Sequence, residues 1–227
     1  FTIAVGDVNE GPSDISLSNA SVDENSAGAV VGTLSTTDVD AGDSHTYAVD
    51  DARFEVVGGE LKLKDGVSLD HEAESSVAVE VTTTDASGAT YSETFTIAVG
   101  DVNEGPSDIS LSNASVDENA AGAVVGTLST TDVDAGDSHT YAVDDARFEV
   151  VGGELKLKDG VSLNHESESS VAVEVTTTDA SGATYSETFT IAVGDVNEGP
   201  SDISLSNASV DENAAGAVVG SLSTTDV

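Results

Sequence analysis

The chain repeats itself at a long period, and this repetition limits the possible folds more than any other feature. The segment FTIAVGDVNEGPSDISLSNA opens at Phe1 and returns at Phe95 and Phe189, so the period is 94 residues. The two complete periods differ at three positions only: Ser26/Ala120, Asp70/Asn164 and Ala73/Ser167. Such a period is longer than the roughly 20–50 residues of solenoid units and suffices for a small independent core. The sequence therefore predicts separate domains in tandem.

A recurring hexapeptide, Asp101-Val102-Asn103-Glu104-Gly105-Pro106 in its central copy, marks the joints between these domains. Each copy follows an alternating apolar run, and its proline restricts φ where the chain enters the next domain. We therefore predict the last strand and linker of a preceding repeat at 1–10, two complete repeats at 11–104 and 105–198, and the beginning of a third at 199–227.

Short alternating runs separated by Gly, Asp, Asn and Ser predict seven strands in each period, the first of them broken. Typical is the last run, in which Tyr91, Phe95, Ile97 and Val99 share one face. No window has a helical period. The predicted fold is therefore an all-β sandwich. The strands are predicted at 15–17 with 21–24, 29–35, 45–49, 54–57, 60–63, 77–81 and 91–99.

The charge of the chain limits its partners. The first period alone holds 19 acidic and three basic residues, and the whole chain has a formal net charge of −37. This sign excludes nucleic acid and anionic membrane surfaces as partners, and no apolar stretch is long enough for membrane insertion. With no cysteine, neither disulfides nor thiolate metal sites are available, so stability depends on core packing and hard cations.

Acidic residues gather in turns and at strand ends rather than along strand faces. Glu24 ends the first strand, Asp38 and Asp40 share one turn, and Asp85 lies in another. If neighbouring strands alternate in direction, these turns fall at the two ends of a sandwich. A tandem array then brings the acids at one end of a domain towards those of the next, with the hexapeptide between them.

The order of these motifs resembles the calcium scheme of cadherin repeats. It runs from Glu24, through Leu69-Asp70-His71-Glu72 and the hexapeptide, to Asp132-Val133-Asp134 and Asp179 in the next period. More closely, the pattern is similar to the bacterial cadherin-like tandem repeats of giant RTX, type I-secreted surface adhesins. The resemblance covers essentially the whole period. It implies tandem seven-stranded Greek-key β-sandwiches of cadherin-like or immunoglobulin-like type, arranged end to end. It also implies Ca²⁺ bound between successive domains by oxygen ligands.

Carried over to the complete joint, the resemblance implies nine side-chain ligands from three places. They are Glu24, Asp70 and Glu72 upstream, Asp101, Asn103 and Glu104 in the linker, and Asp132, Asp134 and Asp179 downstream. Eight of these are carboxylates, which would repel one another if brought together without cations. Two or three Ca²⁺ per complete joint would offset about four to six of those charges.

The flanking joints are implied to be half-sites, which we expect to bind poorly unless neighbouring chain completes them. The first comprises Asp7, Asn9 and Glu10 with Asp38, Asp40 and Asp85; the last comprises Glu118, Glu166, Asp195, Asn197 and Glu198 with Asp226.

Departures from the cadherin pattern bear on the number of ions. Glu104 stands where cadherins usually have Asp, Gly105 where they have Asn, and His71 where they have Arg. In the second repeat Asn164 replaces the carboxylate of Asp70, which predicts a weaker site at the joint around Asp195.

Other metal chemistry fits less well. An EF-hand loop that begins at Asp38 would place its twelfth ligand on Val49, where a bidentate Glu is required. Asp43 can be interpreted as a solvated turn residue or as an auxiliary ligand. His45 lies in a predicted strand, which is typical of a structural role, and His71 as a zinc ligand would be alone among oxygen donors.

The function that follows from the resemblance is a calcium-rigidified extender of an extracellular, cell-surface adhesin, not an enzyme. Its partners are then calcium and the neighbouring repeats. Two alternatives remain open: a module that itself mediates adhesion by binding like chains or carbohydrate, and a self-assembling extracellular fibre subunit. The nine aromatic residues of the chain bear on this choice, because a carbohydrate-binding face would need some of them exposed.

Overall fold

A computed structural model describes residues 1–6 and 8–226, and in this part of the chain every regular element is a β-strand. The prediction of an all-β fold is therefore confirmed. The chain separates into two compact units, Phe1–Asn103 and Glu104–Val227, and each is described by itself. Nothing in the described part is a helix with the length and apolarity that crossing a bilayer requires.

Eight strands build the first unit, because the predicted first strand divides into two. They are β1 (Asp14–Leu17), β2 (Ser21–Asp23), β3 (Val30–Thr37), β4 (Thr46–Val49), β5 (Phe54–Val57), β6 (Glu60–Leu63), β7 (Ser76–Thr84) and β8 (Thr90–Gly100). The same pattern recurs in the second unit as β9 (Asp108–Leu111), β10 (Ser115–Asp117), β11 (Val124–Thr131), β12 (Thr140–Val143), β13 (Phe148–Val151), β14 (Glu154–Leu157), β15 (Ser170–Thr178) and β16 (Thr184–Gly194).

Two four-stranded sheets face each other in each repeat, in the orders β1-β3-β6-β5 and β2-β8-β7-β4 for the first. The alternation of β7 shows why they pack: Val77, Val79 and Val81 are buried, while the residues between them are exposed. These valines join Phe54 and Ile97 in one core, and the second repeat has the equivalent core. Burial of apolar surface between the sheets is the main stabilising contribution.

The break in the first strand lets one segment serve both sheets. β1 pairs antiparallel with β3, whereas β2 pairs parallel with β8 in the opposite sheet. At the break, the Nδ2 of Asn19 donates to the carbonyls of Ser21 and Val31, both at 2.8 Å. Gly32 lies against this junction at a β-bulge, where a Cβ atom would come within 2.7 Å of the Asn19 carbonyl oxygen.

Strand register defines two ends of each sandwich, which we call the entry end and the exit end. At the entry end, Asp14 is opposite Thr37, and Thr84 pairs with both Thr46 and Thr90. At the exit end, Asp23 is opposite Gly100. The turns around 38–45 and 85–89 therefore lie at the entry end, and those around 24–28 and 64–75 at the exit end.

The third period contributes a hairpin, β17 (Asp202–Leu205) with β18 (Leu222–Thr225), in the register of β1 and β3. Its apolar face remains exposed, because Ile203 is 68% and Leu222 is 73% accessible, whereas their counterparts Ile15 and Leu34 are 2% and 5% accessible. The side chains that cover this face in the complete repeats come from strands later in the period.

Candidate metal centres at the two ends of each domain

At the exit end, the carboxylate of Glu24 is buried and holds the beginning of the linker. Its Oε2 accepts the backbone N–H of His71 at 2.7 Å, and its Oε1 accepts that of Val102 at 2.9 Å. These two bonds lower the pKa of the Glu24 carboxyl, and the bond from His71 is the larger cause. The following residue, Asn25, has a positive φ of 57° and donates its N–H to Leu69, which turns the loop towards the acidic segment.

Two further predicted ligands converge on Glu24. Ligand oxygens of Glu24, Asp70 and Glu72 all lie within 4.8 Å of one another, and Glu72 lies similarly close to His71 and Asp101. Asp70 and Glu72 are exposed, so their carboxylates are open to a cation. The Nδ1 of His71 donates to the Val99 carbonyl at 2.7 Å, and this bond raises the pKa of the imidazole.

At the entry end, the first linker is tied to the sandwich by side-chain oxygens. The Nδ2 of Asn9 donates to Oδ2 of Asp85 at 3.0 Å, and the N–H of Glu10 donates to Oδ2 of Asp40 at 2.7 Å. Asp85 is 6% exposed, and its Oδ1 accepts the N–H groups of Ser87 and Ala89. The pKa of Asp85 is lowered to about 2, first by the bond from Asn9 and then by those from the Ala89 backbone and the Ser87 side chain.

Three residues gather beside this linker contact. Oδ1 of Asp38 accepts the N–H of Asp40, while its Oδ2 accepts Nε2 of His45 at 3.0 Å. Both bonds lower the pKa of Asp38, and the bond from Asp40 contributes more. The nearby negative charge of Asp85 acts in the opposite direction. The ligand atoms of Asp38, Asp43 and His45 lie within 4.8 Å of one another. His45 precedes β4 rather than opening it, so the prediction that it lies in a strand is wrong.

The second unit repeats the entry-end arrangement. The N–H of Glu104 donates to Oδ2 of Asp134 at 2.8 Å, and Nε2 of His139 donates to Oδ2 of Asp132 at 2.9 Å. Asp179 is 6% exposed and accepts the N–H groups of two residues in its own turn. Asp132, Asp137 and His139 form the cluster equivalent to that of the first unit.

The exit end of the second repeat preserves the buried carboxylate but changes one neighbour. Glu118 accepts the N–H groups of Val196 and His165. Both bonds lower the pKa of Glu118, and the bond from Val196 is the larger cause. Oδ1 of Asn164 accepts the N–H of Ser167 at 2.7 Å, as Oδ1 of Asp70 accepts that of Ala73 in the first repeat. The turn is therefore maintained, and what changes is the second side-chain atom, an amide nitrogen in place of a carboxylate oxygen.

The remaining predicted ligands are less constrained, and most are exposed. Asn197 donates its Nδ2 to the carbonyl of Glu198, whose side chain accepts from Asn119. The exposed residues among them are Asn103, Glu166, Asp195, Asn197 and Asp226. Asp7, predicted as a linker ligand, lies outside the described residues.

The donor chemistry of these ends suits a hard cation. Most of the converging atoms are carboxylate oxygens, with a histidine nitrogen in some of the clusters, and the cysteine-free chain supplies no thiolate. Repulsion among close carboxylates is offset most directly by a divalent ion, for which Ca²⁺ takes six to eight oxygen ligands. Sequence reasoning identified most of these residues from motif order and left Asp43 open as a solvated turn residue or an auxiliary ligand. It did not place Asp43 and His45 in one cluster with Asp38, because that cluster depends on the folded turn.

No protein-family model matches the chain, whereas solved structures of cadherin extracellular domains are similar to it. The extracellular domain of protocadherin gamma-B4 is 22% identical, covering 98% of this chain and 39% of its own length, with a TM-score of 0.71. Human protocadherin-24 EC1-2 is 21% identical; the match covers 83% of this chain and 100% of that structure's length, with a TM-score of 0.66. Drosophila N-cadherin EC1-4 is 19% identical; the match covers 82% of this chain and 50% of that structure's length, with a TM-score of 0.64.

These likenesses define the class of fold: tandem β-sandwiches of the cadherin type. The chain spans 51% and 39% of the lengths of the first two protocadherin structures. The cadherin-like fold predicted from the motif order is confirmed. Its closer resemblance to bacterial surface adhesins stays a prediction.

Proposed function

We propose that this chain is a calcium-rigidified extender of an extracellular, cell-surface adhesin of the bacterial type, with Ca²⁺ held at the linkers between its repeats. The observation that carries the proposal is the attachment of the linker backbone to acidic side chains. Within the first unit the N–H of Val102 donates to Glu24, and within the second the N–H of Glu104 donates to Asp134. An ion bound to these carboxylates would restrain the linker as well as the domain ends.

The residues that would hold calcium are the predicted ligands of each joint. For the complete joint these are Glu24, Asp70, Glu72, Asp101, Asn103, Glu104, Asp132, Asp134 and Asp179. We propose two or three ions there, since eight carboxylates need that much divalent charge to be largely offset. The ion contributes charge neutralisation and coordination only, so the proposed role is mechanical and involves no reaction.

Two similar structures are described as an extracellular domain and an ectodomain, of protocadherin gamma-B4 and human desmocollin-1, which supports an extracellular location for this chain. A repeat that acts as a spacer also needs little apolar surface. The aromatic residues of the first complete repeat all pack against its core: Phe54 is buried within it, and Tyr47, Tyr91 and Phe95 lie against it. This arrangement favours the extender over a carbohydrate-binding face.

Small-angle X-ray scattering of the whole chain in calcium and in EGTA tests this function. We expect calcium to lengthen the maximum dimension and narrow the distribution of interatomic distances, because bound ions restrain the linkers. The double variant Asp101→Asn/Asp195→Asn should lose most of this response and keep its circular dichroism spectrum. Asp65→Asn/Asp159→Asn is the charge-matched control, since these side chains are 92% and 94% exposed. Identical scattering in calcium and EGTA for the unmodified chain would overturn the proposal.

A second function, association with like chains, is favoured by one comparison. A similar structure, protocadherin gamma-B7 EC3-6, is described as a cis-dimer. Light scattering in calcium separates the two functions, and also the fibre subunit, since an extender stays monomeric over a wide concentration range. A mass that rises with concentration would favour an adhesive or self-assembling module.

A further inference from the structure

One side of each sandwich is open, because two strands from opposite sheets have a free edge there. In the described part of the first unit, β1 ends its sheet and pairs only with β3. β8 has β2 beside it only from Ala98 to Gly100, so its earlier residues have no strand on that side. β1 and β8 contact each other along this side, which we call the seam. A free strand edge is a template on which another chain can pair.

A glutamate on β8 points into the sandwich at the seam. Tyr91, Glu93 and Phe95 alternate with exposed residues, so their side chains share the inner face of the strand. Tyr91 and Phe95 pack against the core, whereas Glu93 brings a carboxylate to that face, beside the buried Val81 of β7. Among the described residues, Glu93 belongs to none of the ion pairs of its repeat. A charge in such a place opposes folding rather than supporting it.

The carboxylate of Glu93 lies at the free edge of β1. In an antiparallel pair, alternate residues direct their N–H groups away from the partner strand. Ser18 donates its N–H to Thr33, and in this register Ile15 is one of the residues that face away from β3. Oε2 of Glu93 accepts this outward N–H of Ile15 at 3.4 Å. A strand that paired with β1 would therefore have to displace the carboxylate.

The second repeat has the same seam between β9 and β16, where Glu187 stands in the position of Glu93. Oε2 of Glu187 is buried and has no hydrogen-bond partner. A strand that entered this seam would remove an unpaired carboxylate further from water, and the desolvation of an unpaired charge opposes that contact. Two chains that met at this edge would also bring two such glutamates towards each other, and their repulsion acts in the same direction.

We propose that Glu93 and Glu187 keep the seam closed to an added strand, so that the array does not associate edge to edge through β1 and β9. The excluded strand is that of a second copy of this chain. Identical edges pair antiparallel about a two-fold axis, and a tandem array presents the same edge in each complete repeat. The inference goes beyond the proposed function, because it concerns the sides of the sandwiches and involves no cation.

The test uses the whole chain and the double variant Glu93→Val/Glu187→Val, which replaces the charge by an apolar side chain suited to a strand. Glu80→Val/Glu174→Val is the matched control, since it makes the same change on the exposed faces of β7 and β15. Light scattering in EGTA and in calcium measures the mass over a range of concentrations. Hydrogen exchange measures the protection of the Ile15 N–H, and thermal unfolding measures stability.

We expect the unmodified chain and the control to stay monomeric, while the mass of the Glu93 variant rises with concentration towards that of a dimer. In the associated form, exchange at Ile15 should be at least about tenfold slower than in the unmodified chain, because its N–H then pairs with another strand. The variant should unfold at the same temperature as the control or higher, since an uncompensated carboxylate has left an apolar face.

Each of four results would overturn the inference. They are association of the unmodified chain, a Glu93 variant that is as monomeric as the control, association without protection at Ile15, and a variant that unfolds below the control, which would make Glu93 a support of the fold. The proposed function has a separate measurement. Scattering that does not respond to calcium would overturn the extender and leave the closed seam unaffected, because the mass in EGTA tests the seam alone.

Discussion

Glu24 and Val102 are 78 residues apart in the sequence, and the carboxylate of the first accepts the backbone N–H of the second at 2.9 Å. The same carboxylate accepts the N–H of His71. One buried side chain thus fixes both the acidic segment before β7 and the beginning of the linker.

The first prediction concerns Glu24→Gln. A glutamine offers one acceptor and one donor, so its amide nitrogen would face either His71 N–H or Val102 N–H and leave that group unsatisfied. We expect a lower unfolding midpoint already in EGTA, and calcium binding at the following linker weaker by about tenfold or more. Thermal unfolding and calorimetric titration measure these effects. Glu80→Gln, on the exposed face of β7, is the control and should change neither.

Glu24→Gln and Asp43→Asn are both carboxylate-to-amide changes, yet they should shift stability in EGTA differently. Both oxygens of Glu24 accept a backbone N–H, whereas Oδ2 of Asp43 has no donor. The first substitution therefore destabilises the ion-free protein, while the second leaves it unchanged or stabilises it. Equal losses in EGTA would contradict the distinction between a carboxylate that accepts two backbone N–H groups and one that accepts a single group.

The second prediction uses the natural difference between the repeats at Asp70 and Asn164. Because both residues cap the same turn through Oδ1, Asn164→Asp should leave the fold intact and add one carboxylate oxygen. We expect calcium affinity at the joint around Asp195 to rise by about tenfold, and Asp70→Asn to lower affinity at the joint around Asp101 by a similar factor. Calorimetric titration of Asn164→Asp that showed no gain would count against the assignment of this position as a ligand.

The third prediction concerns Gly32→Ala at the β-bulge of β3. The added Cβ would lie 2.7 Å from the carbonyl oxygen and 2.9 Å from the nitrogen of Asn19, both backbone atoms that cannot move freely. We expect a loss of about 1–3 kcal/mol in the free energy of unfolding, measured by urea denaturation. Gly199→Ala, where a Cβ would have no neighbour within 4 Å, is the control. Equal stability of both variants would show that the crossing at Asn19 tolerates displacement.

The fourth prediction is a pH dependence at the Arg53 cluster, away from the proposed ligands. The side chain of Arg53 bonds to Asp51, and chiefly through this contact the pKa of Asp51 is lowered below its ordinary value of 3.8. A lowered folded-state pKa means that this contribution to stability is present above pH about 4 and is lost as the pH falls below it. In EGTA, Asp51→Asn/Asp145→Asn should therefore reduce the acid-induced loss of stability, measured by urea unfolding at pH 5 and pH 3. An unchanged pH dependence would contradict this cause.

Much of the fold follows from local sequence pattern. Alternation in segments such as Val77–Val81 predicts strands because one face of a sheet must be apolar, and this requirement acts over a few residues. The broken first strand was predicted too, since Ser18–Ala20 interrupts the alternation. That this break carries the chain from one sheet to the other was not predictable, because it depends on the parallel pairing of β2 with β8 across about 77 residues.

By itself, the sequence determined that the chain is a tandem of β-sandwiches with a period of 94 residues, a large negative charge and acidic turns. Only the tertiary structure decided which of those acids are buried, which accept backbone N–H groups and which lack a donor. Glu24 and Asp43 look alike as acidic turn residues, but strand register brings two N–H groups to the first and leaves one oxygen of the second without any. That difference arises from contacts between distant segments, whereas the alternation that builds the strands is local.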